Sequence, residues 1–358
     1  MTLHNYELTR LKKTSLSNPE SQTPRLILEN EIALNISKLT LWNPQCKKAH
    51  DLVKRLMKSY QIKPAGMLIH GDPGTGKTHF AKKLKGMAFE NITQDVLDDH
   101  KKRPVIIVTA PKQSTIPKMV NILLEELGDP NPSVGSLTEK EYRLYHALKN
   151  LCVQLIIVDE IHDFLPSTSK GTKSSALAWL KGLMDNTLIP ILLLGTDKAL
   201  LIQDIYKELA SRIRYTTAFV KFSVEDDQMS KFLFCELVQS LVEQFGSKAN
   251  ILKSFNFIQT DSNGCCTFSN ESLLLRLYVA TDGIPRGIRD FFLELNIEIH
   301  TEDNFKANLP NLAQIYSMLD PISINEKIDF NPFSVDMKVI YKYLKMNVKN
   351  AEGKNEEN

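Results

Sequence analysis

The chain has 358 residues, 42% of them apolar and 24% charged, with a net charge of +2 from 44 basic and 42 acidic side chains. That composition excludes collagen-like, coiled-coil and disordered classes and leaves room for one large domain or two of roughly 150 residues each. Near-balanced charge excludes a tail-driven nucleic-acid binder, so any contact with DNA has to come from a local patch. Residues 1–30 are polar, with the run SLSNPESQTPR, and read as a loosely ordered arm; they hold no apolar core for a signal peptide. Residues 46–60 carry apolar positions at helical spacing. A βα alternation follows. Strands are predicted at 67–69, 105–108, 155–158 and 191–194, with a fifth at 218–222. Helices are predicted at 78–88, 116–127 and 174–184. Short, continuous Leu-, Ile- and Val-rich strands separated by helices signal a parallel sheet covered on both faces. Beyond residue 224 the strand signal fades. Helices at 225–244, 271–280, 284–298 and 309–319 suggest a smaller helical domain, and the polar tail VKNAEGKNEEN reads as disordered.

The cysteines, Cys46, Cys152, Cys235, Cys265 and Cys266, form no CxxC pair, so neither a disulfide framework nor a zinc site is expected. No apolar run approaches the roughly 20 residues that cross a bilayer. A cytoplasmic protein with no membrane partner is the expectation.

The strongest chemical signal is Gly71-Asp72-Pro73-Gly74-Thr75-Gly76-Lys77-Thr78. It fills every fixed position of GxxxxGK[ST], after an apolar strand and before an amphipathic helix. Its glycines let backbone N–H groups turn inward on phosphate oxygens, and the helix N-terminus adds unpaired donors. Lys77 can reach the β- and γ-phosphates, and the Thr78 hydroxyl can hold Mg²⁺. A second signal is LIIVDE at 155–160, an apolar strand ending in two carboxylates. Asp159 is suited to orient the metal, and Glu160 to activate the attacking water. His162 extends this to Asp-Glu-Ile-His, but the chain has no room for the second motor domain of a DExH helicase; it reads as a structural or switch residue.

Three further positions follow. Thr196 closes the strand LLLGT and can orient water, or simply end a strand. Arg212, with Arg214 in reserve, follows a predicted helix before the fifth strand; it can reach a neighbouring subunit's γ-phosphate or merely cap its own helix. Arg286 sits in GIPRGIR at 283–289, where Pro285 marks a helix start.

In this order the elements resemble those of an AAA+ ATPase. More narrowly, the chain resembles the TniB/TnsC family of transposition regulators. The carrying residues are GDPGTGKT at 71–78, TAPKQSTIPKMVNILLEELGDP at 109–130, LIIVDEIHDFLPST at 155–168, and LLLGTDKA and ELASRI within 192–213. The resemblance implies an α/β fold: a P-loop NTPase core at 41–223, with a parallel five-stranded sheet between helices. A small helical lid domain would follow at 224–320, flanked by an N-terminal arm at 1–40 and a C-terminal extension at 321–358. It implies ATP and Mg²⁺, with Arg286 pointing from the lid to the nucleotide. It also implies rings or helical filaments on double-stranded DNA that link a TniQ- or TnsD-like target selector to a TnsB-like DDE transposase. Hydrolysis would control assembly and disassembly. The DNA-lining positions would be Lys112, Gln113, Ser114, Thr115 and Lys118, with Lys101, Lys102 and Arg103 before the second strand. Such residues grip phosphate and carry no base readout. Two rivals share the motor: a replication initiator or helicase loader, and a nucleotide-controlled protein-binding switch that never meets DNA.

Overall fold

A computed structural model describes residues 24–90, 102–112, 115–165, 175–225, 227–260, 266–302, 304–320 and 324–353. They form two compact units. One runs from 40 to 221. The other joins residues 24–39 to those from 222 onward, so the segment predicted as an arm belongs with the C-terminal part of the chain.

Helix α1, Pro24–Lys38, lies in that second unit and buries Ile32 and Ile36. The first unit opens with α2, Pro44–Met57. Asn43 caps it by accepting from the Cys46 N–H at 2.8 Å, and Pro44 sits at the first turn, where its missing N–H costs nothing. The alternation then runs β1 Gly66–His70, α3 Lys77–Glu90, β2 Val105–Thr109, α4 Ile116–Glu126, α5 Leu137–Asn150, β3 Leu155–Asp159, α6 Ser175–Thr187, β4 Ile191–Leu194 and β5 Ile213–Ala218. The sheet order is β2-β3-β4-β1-β5, and every neighbouring pair is parallel.

Alternation along each strand fills two cores. Met67, Ile69, Leu155, Ile157, Leu192 and Leu194 face one side, where α2 and α3 bring Val53, Leu56, Phe80 and Leu84. Leu68, Ile156, Val158 and Leu193 face the other, against Leu123, Leu124, Leu144, Leu180 and Leu183. Each fully buried side chain of this size contributes about 1.5–3 kcal/mol relative to exposure. Burial on both faces is why these strands carry unbroken apolar runs.

The fifth strand is a correction. It spans Ile213–Ala218, not 218–222. It is an edge strand paired only with β1, so only Thr217 of its six residues is buried and its sequence, IRYTTA, lacks an apolar run. The apolar residues just after it are buried for other reasons: Phe219 packs edge-on against Phe80 at 5.4 Å. Helix α5 was not predicted at all. Ser136 and Glu139 form a reciprocal capping box at its start, and Leu144 and Leu148 anchor it.

In the second unit, α7 Gln228–Glu243, α8 Glu271–Thr281, α9 Pro285–Thr301 and α10 Leu309–Met318 surround an aromatic core that includes Phe234, Phe255, Phe291 and Phe292. Helix α1 is tied to α9 here. The Asn296 side chain donates to the Glu29 carbonyl at 3.0 Å, and Arg289 donates to the Leu39 carbonyl at 3.1 Å. A short antiparallel pair, β6 Ile258–Thr260 and β7 Cys266–Phe268, interrupts the expected all-helical run. Helix α11, Met337–Gly353, continues into the tail read as disordered, anchored by Ile340 and Leu344. Among the described residues no helix is long and apolar enough to cross a membrane.

Candidate nucleotide site

In the first unit the strand β1 lies between β4 and β5, so the chain leaves its carboxyl end at the point where strand order reverses. Parallel sheets bind ligands at such a crevice. The loop from 71 to 76 fills it. Gly71 has φ +142°, and a Cβ there would stand 2.0 Å from the Phe219 carbonyl oxygen, so no other residue fits. Gly76 has φ +99° and nothing within 4 Å of the place a Cβ would take. The loop is therefore pinned against Phe219 on one side and open on the other. Helix α3 starts directly behind it, with its first N–H groups unsatisfied within the helix.

Lys77 is buried, and its Nζ donates to the carbonyls of Gly71 at 2.7 Å and Asp72 at 2.8 Å. Burial pulls its pKa below the ordinary lysine value; the carboxylates of Glu160, Asp159, Asp72 and Asp197 push the other way. The Thr78 hydroxyl donates to Asp159 Oδ2 at 2.6 Å. Asp159, at the end of β3, is buried, and its other oxygen accepts from the Glu160 N–H at 2.9 Å. Glu160 itself takes a left-handed backbone, φ +54°, which turns the chain off the strand and leaves its carboxylate partly exposed. Thr196 follows β4. Its Oγ1 is buried with no hydrogen-bond partner, a state that buried hydroxyls seldom keep without a ligand or water.

The structure thus gathers Gly71 to Thr78, Asp159, Glu160 and Thr196 at the carboxyl ends of β1, β3 and β4. It also shows pairings that the sequence did not indicate. His70 Nδ1 lies 2.7 Å from Asp197 Oδ1, joining the end of β1 to the turn after β4. His162 meets both Glu160 and Thr196. Arg212 stands elsewhere. Its carbonyl accepts from the Gly66 N–H at 2.8 Å, at the amino end of β1, and its guanidinium pairs with Asp185. Arg214, the reserve, is exposed on β5. Arg286 is exposed in the first turn of α9, in the other unit.

The DNA positions divide. Lys112, Thr115 and Lys118 are exposed between the carboxyl end of β2 and the first turn of α4. Lys102 and Arg103 lie at the opposite end of β2. They donate to the carbonyls of Asn150 and Glu126, capping α5 and α4. Lys101, Gln113 and Ser114 fall outside the described residues.

A family model described as "Bacterial TniB protein" matches residues 37–221, just over half of the chain. The chain belongs to the TniB family. Among solved structures, the Aeropyrum pernix ORC2 protein in its ADP form gives a TM-score of 0.54 at 13% identity, over 78% of this chain and 69% of that one. The same protein in ADPNP–ADP complexes gives 0.53 at 12% identity, over 78% and 68%. Drosophila ORC bound to DNA gives 0.50 at 12% identity, over 89% and 75%. At such identities the likeness shows the fold, and this TniB-family fold is that of an AAA+ protein, as expected. The comparison with curated proteins gives no match.

Proposed function

We propose that this TniB-family protein is an ATP-hydrolysing AAA+ regulator of DNA transposition. It would work in the cytoplasm, assemble with itself on double-stranded DNA, and connect a TniQ- or TnsD-like target selector to a TnsB-like DDE transposase. The observation that carries the motor part is the meeting of Lys77, Thr78, Asp159, Glu160 and Thr196 at three adjacent strand ends.

These residues fit a magnesium nucleoside triphosphate. The open side of Gly76 and the start of α3 form the phosphate cradle, and the buried Lys77 supplies charge. Thr78 and Asp159, already within 2.6 Å, present hard oxygen ligands suited to Mg²⁺. Mg²⁺ held by these two residues would supply charge neutralisation to the phosphates. Glu160 accepts the proton of the attacking water, and the unpartnered Thr196 hydroxyl positions that water. Arg212 cannot serve its own subunit, because it sits at the amino end of the sheet. It acts on a neighbour, which makes assembly a condition for turnover. Arg286 acts from the helical unit.

The test compares Lys77→Ala with Glu160→Gln. Titration calorimetry should show nucleotide binding lost in the first and kept in the second. Hydrolysis by Glu160→Gln should fall at least about a hundredfold. Parent-level turnover in that variant would remove Glu160 from its role. Normal affinity in Lys77→Ala would remove the site.

A further inference from the structure

His162 stands on the 3₁₀ turn Ile161–Phe164, directly after Glu160, and its ring is mostly buried. Its Nδ1 has two claimants. The Thr196 N–H points at it from 3.4 Å, and Glu160 Oε2 lies 3.2 Å away. A ring nitrogen of a neutral imidazole is either a donor or an acceptor. Thr196 needs the lone pair, whereas the Glu160 carboxylate needs the hydrogen. One nitrogen can satisfy only one of them at a time.

The surroundings make that choice consequential. A Cβ on Gly195 would meet Ala199 Cβ at 2.9 Å and Ile161 Cγ2 at 3.0 Å, so the end of β4 and the turn carrying His162 are in close contact. Glu160 is anchored through its N–H to Asp159 and leaves only its side chain to move. Thr196 and Glu160 are the two residues assigned above to the attacking water.

We propose that His162 is a positioning residue that shares Nδ1 between Thr196 and Glu160. This rests on the reading of Glu160 as the water-activating group. When Nδ1 accepts from Thr196, the end of β4 is held and the Glu160 carboxylate is released. When Nδ1 carries the hydrogen, Glu160 is tethered and the Thr196 N–H loses its partner. The neutral ring keeps one proton in both arrangements, on Nε2 in the first and on Nδ1 in the second. The state of the strand end after β4 thereby sets the freedom of the carboxylate after β3.

Steady-state ATP turnover and nucleotide affinity of His162→Ala, His162→Asn and His162→Gln test this. An Asn amide reaches about as far as Nδ1 and offers either an oxygen or an N–H; a Gln amide reaches about as far as Nε2. His162→Ala should lower kcat about tenfold with KM unchanged, the signature of lost positioning. His162→Asn should recover to within about threefold of the parent, and His162→Gln should not. Parent-level kcat in His162→Ala, or equal recovery by Asn and Gln, overturns the proposal. Failure of the underlying reading shows separately, as undiminished turnover in Glu160→Gln.

Discussion

Arg212 forks onto Asp185, with Nε 3.0 Å from Oδ1 and Nη2 3.4 Å from Oδ2, and Lys181 closes on the same carboxylate at 3.1 Å. The Arg212 hydrogen bond, opposed in part by burial and helped by Lys181, holds the Asp185 carboxyl below its ordinary value. A depressed carboxyl stabilises the fold above its unfolded pKa. That contribution is lost as pH falls through the folded value. Both side chains are about a third exposed or less, so the pair contributes about 0.5–1 kcal/mol. Asp185→Asn should lower the thermal midpoint by about 1–4 °C at neutral pH. The difference should shrink as the buffer is taken below the normal carboxylate range. An equal difference at both pH values would mean that the ion pair is not its source.

The same pair bears on turnover. If Arg212 acts on a neighbour as proposed, it has to leave Asp185, and the pair would then be its resting position. Arg212→Ala should leave nucleotide affinity of the isolated subunit unchanged and cut turnover of the assembly by about a thousandfold, as loss of a charge-stabilising arginine does. Arg212→Lys should not restore it, because an ammonium lacks the planar fork. Undiminished turnover at high protein concentration would transfer the role to Arg214, exposed two residues on.

Two glycines of one loop should fail in different ways. At Gly71 a Cβ would collide with the Phe219 carbonyl oxygen at 2.0 Å, and φ is +142°. Gly71→Ala should therefore destabilise the first unit by about 3 kcal/mol or more. Gly76→Ala meets no atom and carries only the strain of φ +99°, about 1–2 kcal/mol. It should stay folded yet bind nucleotide poorly, because the methyl occupies the open side of the cradle. Denaturant melts and nucleotide titration of both variants check the order. Equal stability of the two would remove Phe219 as the pin for the loop.

Much of the first unit was legible because its physics is local in sequence. Strands β1 to β4 are buried on both faces, so each shows an apolar run, and the phosphate loop announces itself by spacing. Strand β5 was misplaced because an edge strand needs no such run. Helix α5 was overlooked, though Ser136 and Glu139 spell a capping box that could have marked it. The site was legible as far as motifs reach: Lys77, Thr78, Asp159 and Glu160 stand together as expected. What the sequence hid depends on which strands are neighbours. His70 and Asp197 are 127 positions apart, and His162 and Thr196 are 34 apart. Only the order β3-β4-β1 brings each pair within reach. Lys102 and Arg103 were placed with the DNA positions through the family resemblance, but they stand at the other end of β2, where they cap helices.

Lys112 and Lys118 are exposed and follow the carboxyl end of β2, with Thr115 between them as the residue before α4. Neither lysine takes part in the nucleotide site. If they grip phosphates, Lys112→Ala with Lys118→Ala should weaken duplex binding equally across sequences, since phosphate contacts carry no base information. Each lost contact should lower the salt slope by about one unit per engaged subunit. Nucleotide affinity of the free subunit should not change, because the loop at 71–78 is untouched. Near-neutral net charge makes this a demanding test: with +2 overall, little nonspecific attraction is left to mask the loss. Filter binding of parent and double variant over a range of salt gives the answer. Unchanged affinity with an unchanged slope would take both lysines off the DNA surface, whereas no duplex binding by the parent would favour the protein-binding switch over the DNA-bound assembly.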